Sequence, residues 1–398
     1  VTSQRPRVLI LVENLPVPFD RRVWQEACAL RDAGYDVTVI CPRMRGYMRA
    51  EEVLDGIQIY RHWITGEAKT TLGFLFEYTS ALVGEFWCLL KALRRGRFDI
   101  IHLCNPPDLL FLVALPFKLL CGSKIVFDVH DLWPEMFAAK FGARGIFYHA
   151  VKLAERCTLA IADVVIATNQ SVLNAVRHRG HLDADCAFIV RTAPSNLDTS
   201  TPSDVSLRCG KKHLVGYIGV MGDADGVDYL LEAAHHLVHT RGRTDIQFLL
   251  MGSGPEFNAL VSQRDRLCLS DHVTMPGRVS DTYLCTALQT IDLGIACDPI
   301  NTYSDHCTMN KVLEYMSFAK PIVMFATVEG RYSAGDAASY VLENSATQLG
   351  DAILAMLDDP ARREQMGHAG HHRFATELNW QKSTEQLRLA YARCLPAK

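Results

Sequence analysis

Short apolar runs, each closed by a polar loop and followed by a helical pattern, recur along the whole chain and leave few folds open. In the first half they occupy residues 8–12, 36–41, 99–104, 124–129, 163–168 and 187–191; in the second half, 214–220, 246–251, 273–279, 292–297 and 322–325. Runs without polar alternation read as strands buried on both faces, and strands separated by helices read as parallel sheets. The expected class is therefore α/β, with two Rossmann-like β/α/β domains, because 398 residues exceed one typical core. Residues 192–204, Thr-Ala-Pro-Ser-Asn-Leu-Asp-Thr-Ser-Thr-Pro-Ser-Asp, are turn formers with one large apolar side chain, which reads as a linker. The predicted division is 1–192, a linker at 193–205, 206–378, and a helix at 379–398 that crosses back onto the first domain.

Composition removes several alternatives. A net charge of -3 gives no global basic field, so nucleic acid is not an expected partner. Thirteen scattered Cys show neither a C-x-x-C pair nor metal-ligand spacing and read as reduced core thiols. The chain enters a strand almost at once without the pattern of a signal peptide, which predicts a cytoplasmic protein. The apolar run at 109–117 is too short to span a bilayer. Residues 72–95 read as one long helix whose end, 86–97, mixes Phe86, Trp87 and Leu90 with Lys91, Arg94, Arg95 and Arg97. The preferred reading is a core-facing helix with cations complementing its dipole; the competing one is peripheral membrane contact, on the cytoplasmic face.

Ligands of parallel sheets gather at the carboxyl ends of strands. Glu13 and Asn14 lie there after the first strand, and Arg21 and Arg22 in the helix that follows could face a phosphate or an acceptor. Two arginines in a first turn are also commonly just solvated. His130 and Asp131 follow a later strand, in His-Asp-Leu-Trp-Pro-Glu135, where imidazole can donate or accept near neutral pH. Gly219, Met221 and Gly222 form a strand-to-helix turn whose amides could meet phosphate, and Gly252 and Gly254 form a second, with Pro255 suited to the first helical position. Arg278 and Val279 close a third. Thr308, Met309, Asn310, Lys311 and Glu314 then open a helix that Pro321 stops, with Thr308 as the expected N-cap. A helix start, an ammonium and a carboxylate one turn on suit a nucleotide diphosphate. The bland alternative is a surface helix with an i, i+3 Lys311–Glu314 pair.

The order of these motifs resembles the family-4 glycosyltransferases, a retaining group with the GT-B fold, over nearly the whole chain. The resemblance is carried by residues 21–39, Val129-His-Asp-Leu-Trp-Pro-Glu135, Gly216-Tyr-Ile-Gly-Val-Met-Gly222, 226–233, Met251-Gly-Ser-Gly-Pro255, Pro276-Gly-Arg-Val279 and Asn310-Lys-Val-Leu-Glu-Tyr-Met316 with 320–323. It implies a nucleotide-diphosphate sugar, with UDP favoured, held mainly by the second domain and a sugar, lipid-linked or small-molecule hydroxyl acceptor held by the first. His130 matches the family's histidine near the sugar ring, and Glu314 the second acid of its E-x7-E motif. Three departures stand out. His306 replaces the first acid, with Asp305 as the nearest substitute. Val220 and Asp225 replace the Arg and Lys of the first glycine loop, and the usual Gly-Gly near residue 20 is absent.

Each charge-assisted phosphate contact contributes roughly 1.5–3 kcal/mol, so the missing pair puts weight on Lys311, with Arg21, Arg22 and Arg278 in support. The implied activity is retaining transfer of a hexosyl or N-acetylhexosaminyl group in glycan, glycolipid or glycosylated-metabolite synthesis. The resemblance implies no metal. Asp223-Ala-Asp225 has Asp-x-Asp spacing but no evident third ligand. His130, Asp131 and Lys311 are the expected catalytic groups. Alternatives are a GT-B sugar-nucleotide epimerase and a non-catalytic nucleotide-sugar-binding protein.

Overall fold

The computed structural model describes residues 5–64, 71–195 and 197–395. It contains two compact units, one running to Thr192 and resumed from Ser383, the other spanning Ala193–Lys382. Each is built on one sheet. In the first, strands β1 (Arg7–Leu11), β2 (Asp36–Pro42), β3 (Glu51–Leu54), β4 (Ile57–His62), β5 (Ile100–Cys104), β6 (Lys124–Val129), β7 (Val164–Ala167) and β8 (Ala187–Ile189) lie in the order β3-β4-β2-β1-β5-β6-β7-β8. All neighbours pair in parallel except β3 with β4. The helices are α1 (Arg21–Asp32), α2 (Thr71–Ala92), α3 (Phe111–Cys121), α4 (Trp133–Phe141), α5 (Ile146–Ile161) and α6 (Gln170–Gly180).

In the second unit, β9 (His213–Val220), β10 (Ile246–Ser253), β11 (Val273–Gly277), β12 (Leu293–Ala296), β13 (Ile322–Phe325) and β14 (Ala338–Val341) form a wholly parallel sheet in the order β11-β10-β9-β12-β13-β14. Its helices are α7 (Val227–His235), α8 (Phe257–Arg266), α9 (Asp281–Thr290), α10 (Asn310–Ser317), α11 (Val328–Ala334), α12 (Ala346–Leu357) and α13 (Pro360–Arg373). Phe248 and Leu250 of β10 enter the core on one sheet face, and Leu249 and Met251 that on the other. This is why the run shows no polar alternation. The expected α/β class with two Rossmann-like sheets holds.

The last helix, α14 (Trp380–Cys394), belongs from Ser383 onward to the first unit. It buries Leu387, Ala390, Tyr391 and Cys394, spaced as one helical face, and sets the Tyr391 ring edge-on to Tyr35 with centroids 5.5 Å apart. Among the described residues no helix is long and apolar enough to cross a membrane.

Several expected boundaries move. The run at 106–120 becomes helical only at Phe111. Pro255 does not start its helix, which begins at Phe257 with Glu256 at the N-cap. Thr308 does not cap α10: Met309 holds that position and no side chain caps it. Strands β3 and β14 and helices α4, α9, α11 and α12 had no counterpart in the sequence reading. The end of α2 is core-facing on one side only, burying Cys88, Leu89 and Ala92 while Phe86, Trp87 and Leu90 stand exposed.

Candidate functional site

Both sheets reverse winding direction once, and such switch points are where parallel sheets bind ligands. In the first unit the reversal lies between β1 and β5, with β6 beside them. Asp128, two residues before the His130 loop, is fully buried in an otherwise apolar strand. His130 Nε2 donates to Asp128 Oδ2 over 2.6 Å. Arg22 forks onto the same carboxylate, Nε to Oδ2 at 3.0 Å and Nη2 to Oδ1 at 2.5 Å. Arg22 Nη2 also lies 3.1 Å from Glu26 Oε1. His102 of β5 completes the cluster, its Nε2 at 3.6 Å from Glu26 and from Asp128 and its Nδ1 at 2.7 Å from the Tyr391 hydroxyl.

Burial alone would raise the Asp128 carboxyl, but Arg22 and His130 hold it well below the usual carboxylate range. Burial pushes Glu26 well up against the pull of Arg22. Burial also lowers His102, which stays neutral. The cluster thus closes on one ion pair, Arg22–Asp128, whose exposed output is the hydrogen bond orienting the His130 ring and fixing its tautomer.

A second set of bonds holds the loop backbone. Asn105, after β5, accepts from His130 N over 2.7 Å and donates Nδ2 to Asp108 Oδ1 at 2.8 Å and to the Asp131 carbonyl at 2.9 Å. Burial raises Asp108 to about 8 against the Asn105 hydrogen bond, and raises Asp131 against the pull of His130. Glu135 is drawn away to Arg179, whose Nη1 reaches its Oε2 at 3.2 Å. Glu13 is buried, Asn14 half-buried and Arg21 exposed. Arg22 is neither solvated nor open to phosphate, since Asp128 and Glu26 occupy its guanidinium.

In the second unit the reversal lies between β9 and β12. A Cβ on Gly252 would stand 1.8 Å from the Gly219 carbonyl oxygen, and one on Gly254 would stand 2.3 Å from that of Met221. Glycine here lets two strand-end loops touch backbone to backbone. Gly222 N donates to Asp225 Oδ2 at 2.9 Å, so Asp225 closes the loop. Met221 is wholly buried beneath it.

Lys311, on the first turn of α10, lies beside this loop, with its Cε 3.2 Å from a Cβ placed on Gly219. Its Nζ donates to both oxygens of Asp298 at 2.8 and 3.0 Å and sits 4.9 Å from the Tyr217 ring centroid. The sequence-local partner, Glu314, is replaced by one reached across the β12 end. Burial would lower Lys311, yet Asp298 and its neighbours hold it well above the ordinary lysine value. Burial raises Asp225 against the pull of Lys311. Tyr315 anchors the helix from behind, donating to the carbonyls of Gly216 and Ile295 at 3.2 and 3.0 Å and accepting from Ile218 N at 3.1 Å.

The remaining predicted residues fall around α10 or apart from it. Glu314 and Thr308 are half-buried and Asn310 is exposed at the helix start. Asp305 and His306 lie on the turn before it, and Asp305 Oδ1 accepts from Val328 N at 3.0 Å, capping α11. Arg278 is exposed after β11, and Val279 packs into the core. Sequence reasoning missed Glu26, His102, Asp128, Asp298 and Tyr391. For His102, Asp128 and Asp298 the available signal was a charged or polar residue inside, or directly after, an apolar strand run; Glu26 on α1 and Tyr391 on α14 carry no such signal. Ligand atoms of His102, Cys104 and Asp128 lie within 4.8 Å of one another, but Arg22 engages both Asp128 oxygens.

Residues 20–190 match the model of the glycosyl transferase 4-like domain, and residues 212–359 that of glycosyl transferases group 1. The alpha-D-kanosaminyltransferase of Streptomyces kanamyceticus is 27% identical over 227 residues, covering 54% of this chain and 56% of that protein. The chain thus matches about half the length of this curated relative. In structure it is similar to sucrose-phosphate synthase of Thermosynechococcus elongatus, with a TM-score of 0.77 and 18% identity over 98% of this chain and 99% of that one. It is also similar to HepE of Anabaena in complex with UDP-glucose, with a TM-score of 0.71 and 14% identity over 97% and 99% of the two chains. A glycosyl transferase 4-like first domain followed by a group 1 second domain places the chain among the glycosyltransferases of GT-B fold.

Proposed function

We propose that the protein transfers a hexosyl or N-acetylhexosaminyl group from a nucleotide-diphosphate sugar, UDP-linked in the favoured reading, to a hydroxyl acceptor with retention at the anomeric carbon. The observation that carries this is the glycine-lined switch point of the second domain. There, backbone amides, a helix start without a side-chain cap and Lys311 meet where no Cβ intrudes. As the anomeric carbon–oxygen bond breaks, its electron pair passes to the diphosphate, and charge grows where these donors lie. The acceptor oxygen then forms the new bond on the same face, and its proton passes to the departing diphosphate oxygen. His130, held by Asp128, orients the sugar, and Asp131 meets the acceptor hydroxyl. No metal enters this scheme. Support comes from the UDP-glucose bound by HepE and from the kanosaminyl transfer in the relative's name.

Incubation with a panel of UDP- and GDP-sugars and simple glycoside acceptors, followed by NMR of the anomeric coupling, tests the proposal. Nucleotide diphosphate should be released together with a glycoside of unchanged anomeric configuration, and His130→Ala should abolish the product. Accumulation of an epimeric sugar nucleotide without acceptor would sink it.

A further inference from the structure

We infer that the α2–α3–α5 face of the first unit docks on an anionic lipid bilayer. Helices α2, α3 and α5 are neighbours in one layer. Each turns an apolar stripe to solvent. On α2, Val83, Phe86, Trp87 and Leu90 recur at i, i+3, i+4 and i+7, with Trp87 71% exposed. On α3, Leu112 and Leu119 stand two turns apart, and on α5 so do Ile146 and Leu153; Leu119 is 73% and Ile146 79% exposed. Eleven of the twenty large apolar side chains exposed among the described residues fall on α2–α5. Scattered exposure would need no explanation, whereas adjoining stripes at helical period mark an interaction surface.

Charge selects the occupant. Arg94 and Arg97 follow α2, Arg144 precedes α5, and Lys152 and Arg156 lie on it, all exposed. Glu85 of α2 and Glu155 of α5 are buried. A chain of net charge -3 therefore gathers cations around these apolar stripes. Apolar stripes bordered by arginine and lysine fit the acyl boundary and phosphates of an anionic leaflet, whereas a second copy of this face would set cation against cation. The inference stands apart from the transfer reaction and would hold if that reading failed.

Flotation of the whole protein with mixed phosphatidylglycerol–phosphatidylcholine vesicles, against phosphatidylcholine alone, tests it. The protein should float with the anionic vesicles and be released by salt. Arg94→Gln with Arg144→Gln should lower the partition coefficient about 30-fold, at roughly fivefold per lost cation. Trp87→Ser with Leu119→Ser should lower it at least about tenfold. Leu389→Ser, exposed on α14 away from this face, should leave it unchanged. No binding to anionic vesicles, equal binding to neutral ones, or conversion of a dimer to a monomer by the Trp87/Leu119 double variant would overturn the inference.

Discussion

The two switch points solve one electrostatic problem in two ways. Each gathers one cation and two carboxyl groups: Arg22 with Asp128 and Glu26, and Lys311 with Asp298 and Asp225. In each, one carboxylate pairs with the cation and the other is pushed up by burial. The first cluster is sealed, with Glu26, His102 and Asp128 wholly buried, and it reaches the loop after β6 through the hydrogen bond to His130. The second is less completely enclosed: the side chains of Lys311 and Asp298 keep 8% and 12% exposure, against 6% and 0% for Arg22 and Asp128. A sealed pair can only position a neighbour. A pair at the rim can exchange its carboxylate for an arriving phosphate, which makes Asp298 a counter-ion that the donor would displace.

The largest effect is expected from opening the sealed side. Arg22→Met strands Asp128 without its cation and should cost about 3–5 kcal/mol in denaturant unfolding, while Arg22→Met/Asp128→Leu should recover much of that. A single-variant loss no larger than that of an exposed ion pair would erase the contrast between the two clusters.

On the rim side the expected readout is affinity. Lys311→Met should weaken UDP binding by roughly 1.5–3 kcal/mol in calorimetry, because a charge-assisted contact to phosphate is lost. Asp298→Asn should move it the other way, about tenfold tighter, because Lys311 then meets phosphate without a competing carboxylate. If both variants weaken binding alike, Lys311–Asp298 is a structural link and not a displaceable counter-ion.

Much of this architecture was legible in the sequence, and the gaps have physical causes. Continuous apolar runs marked the strands because both faces of each sheet are covered. The partners of Asp128 and His102 were not legible, because Arg22 lies 106 residues from Asp128 and Tyr391 lies 289 from His102. No local period carries such distances. The partner of Lys311 was hidden for the complementary reason: spacing offered Glu314 as the alternative, while the fold supplies Asp298.

The loop support behind His130 should reveal itself through pH. The folded chain raises Asp108 to about 8, above an ordinary carboxyl value near 4, so it holds a proton that the unfolded chain releases. Its stabilising contribution is complete below about pH 4 and declines as pH rises toward 8, by up to about 1.4 kcal/mol per unit. Asp108→Asn keeps an acceptor for Asn105 and cannot ionise. Its stability relative to the parent should therefore climb across this window, and a flat difference would mean that Asp108 is already charged.

The smallest expected effect probes the far end of the sealed cluster. The Tyr391 phenol, held protonated by burial, donates to His102 Nδ1 and so leaves the ring proton on Nε2, facing Glu26 and Asp128. Tyr391→Phe removes one buried hydrogen bond and should cost about 0.5–1.5 kcal/mol. A packing loss alone would be independent of His102, whereas loss of tautomer control would not. In a double-mutant cycle with His102→Asn, the two losses should fall short of additivity by about 0.5 kcal/mol or more. Strict additivity would detach α14 from the cluster and leave Arg22 and His130 as the groups that set Asp128.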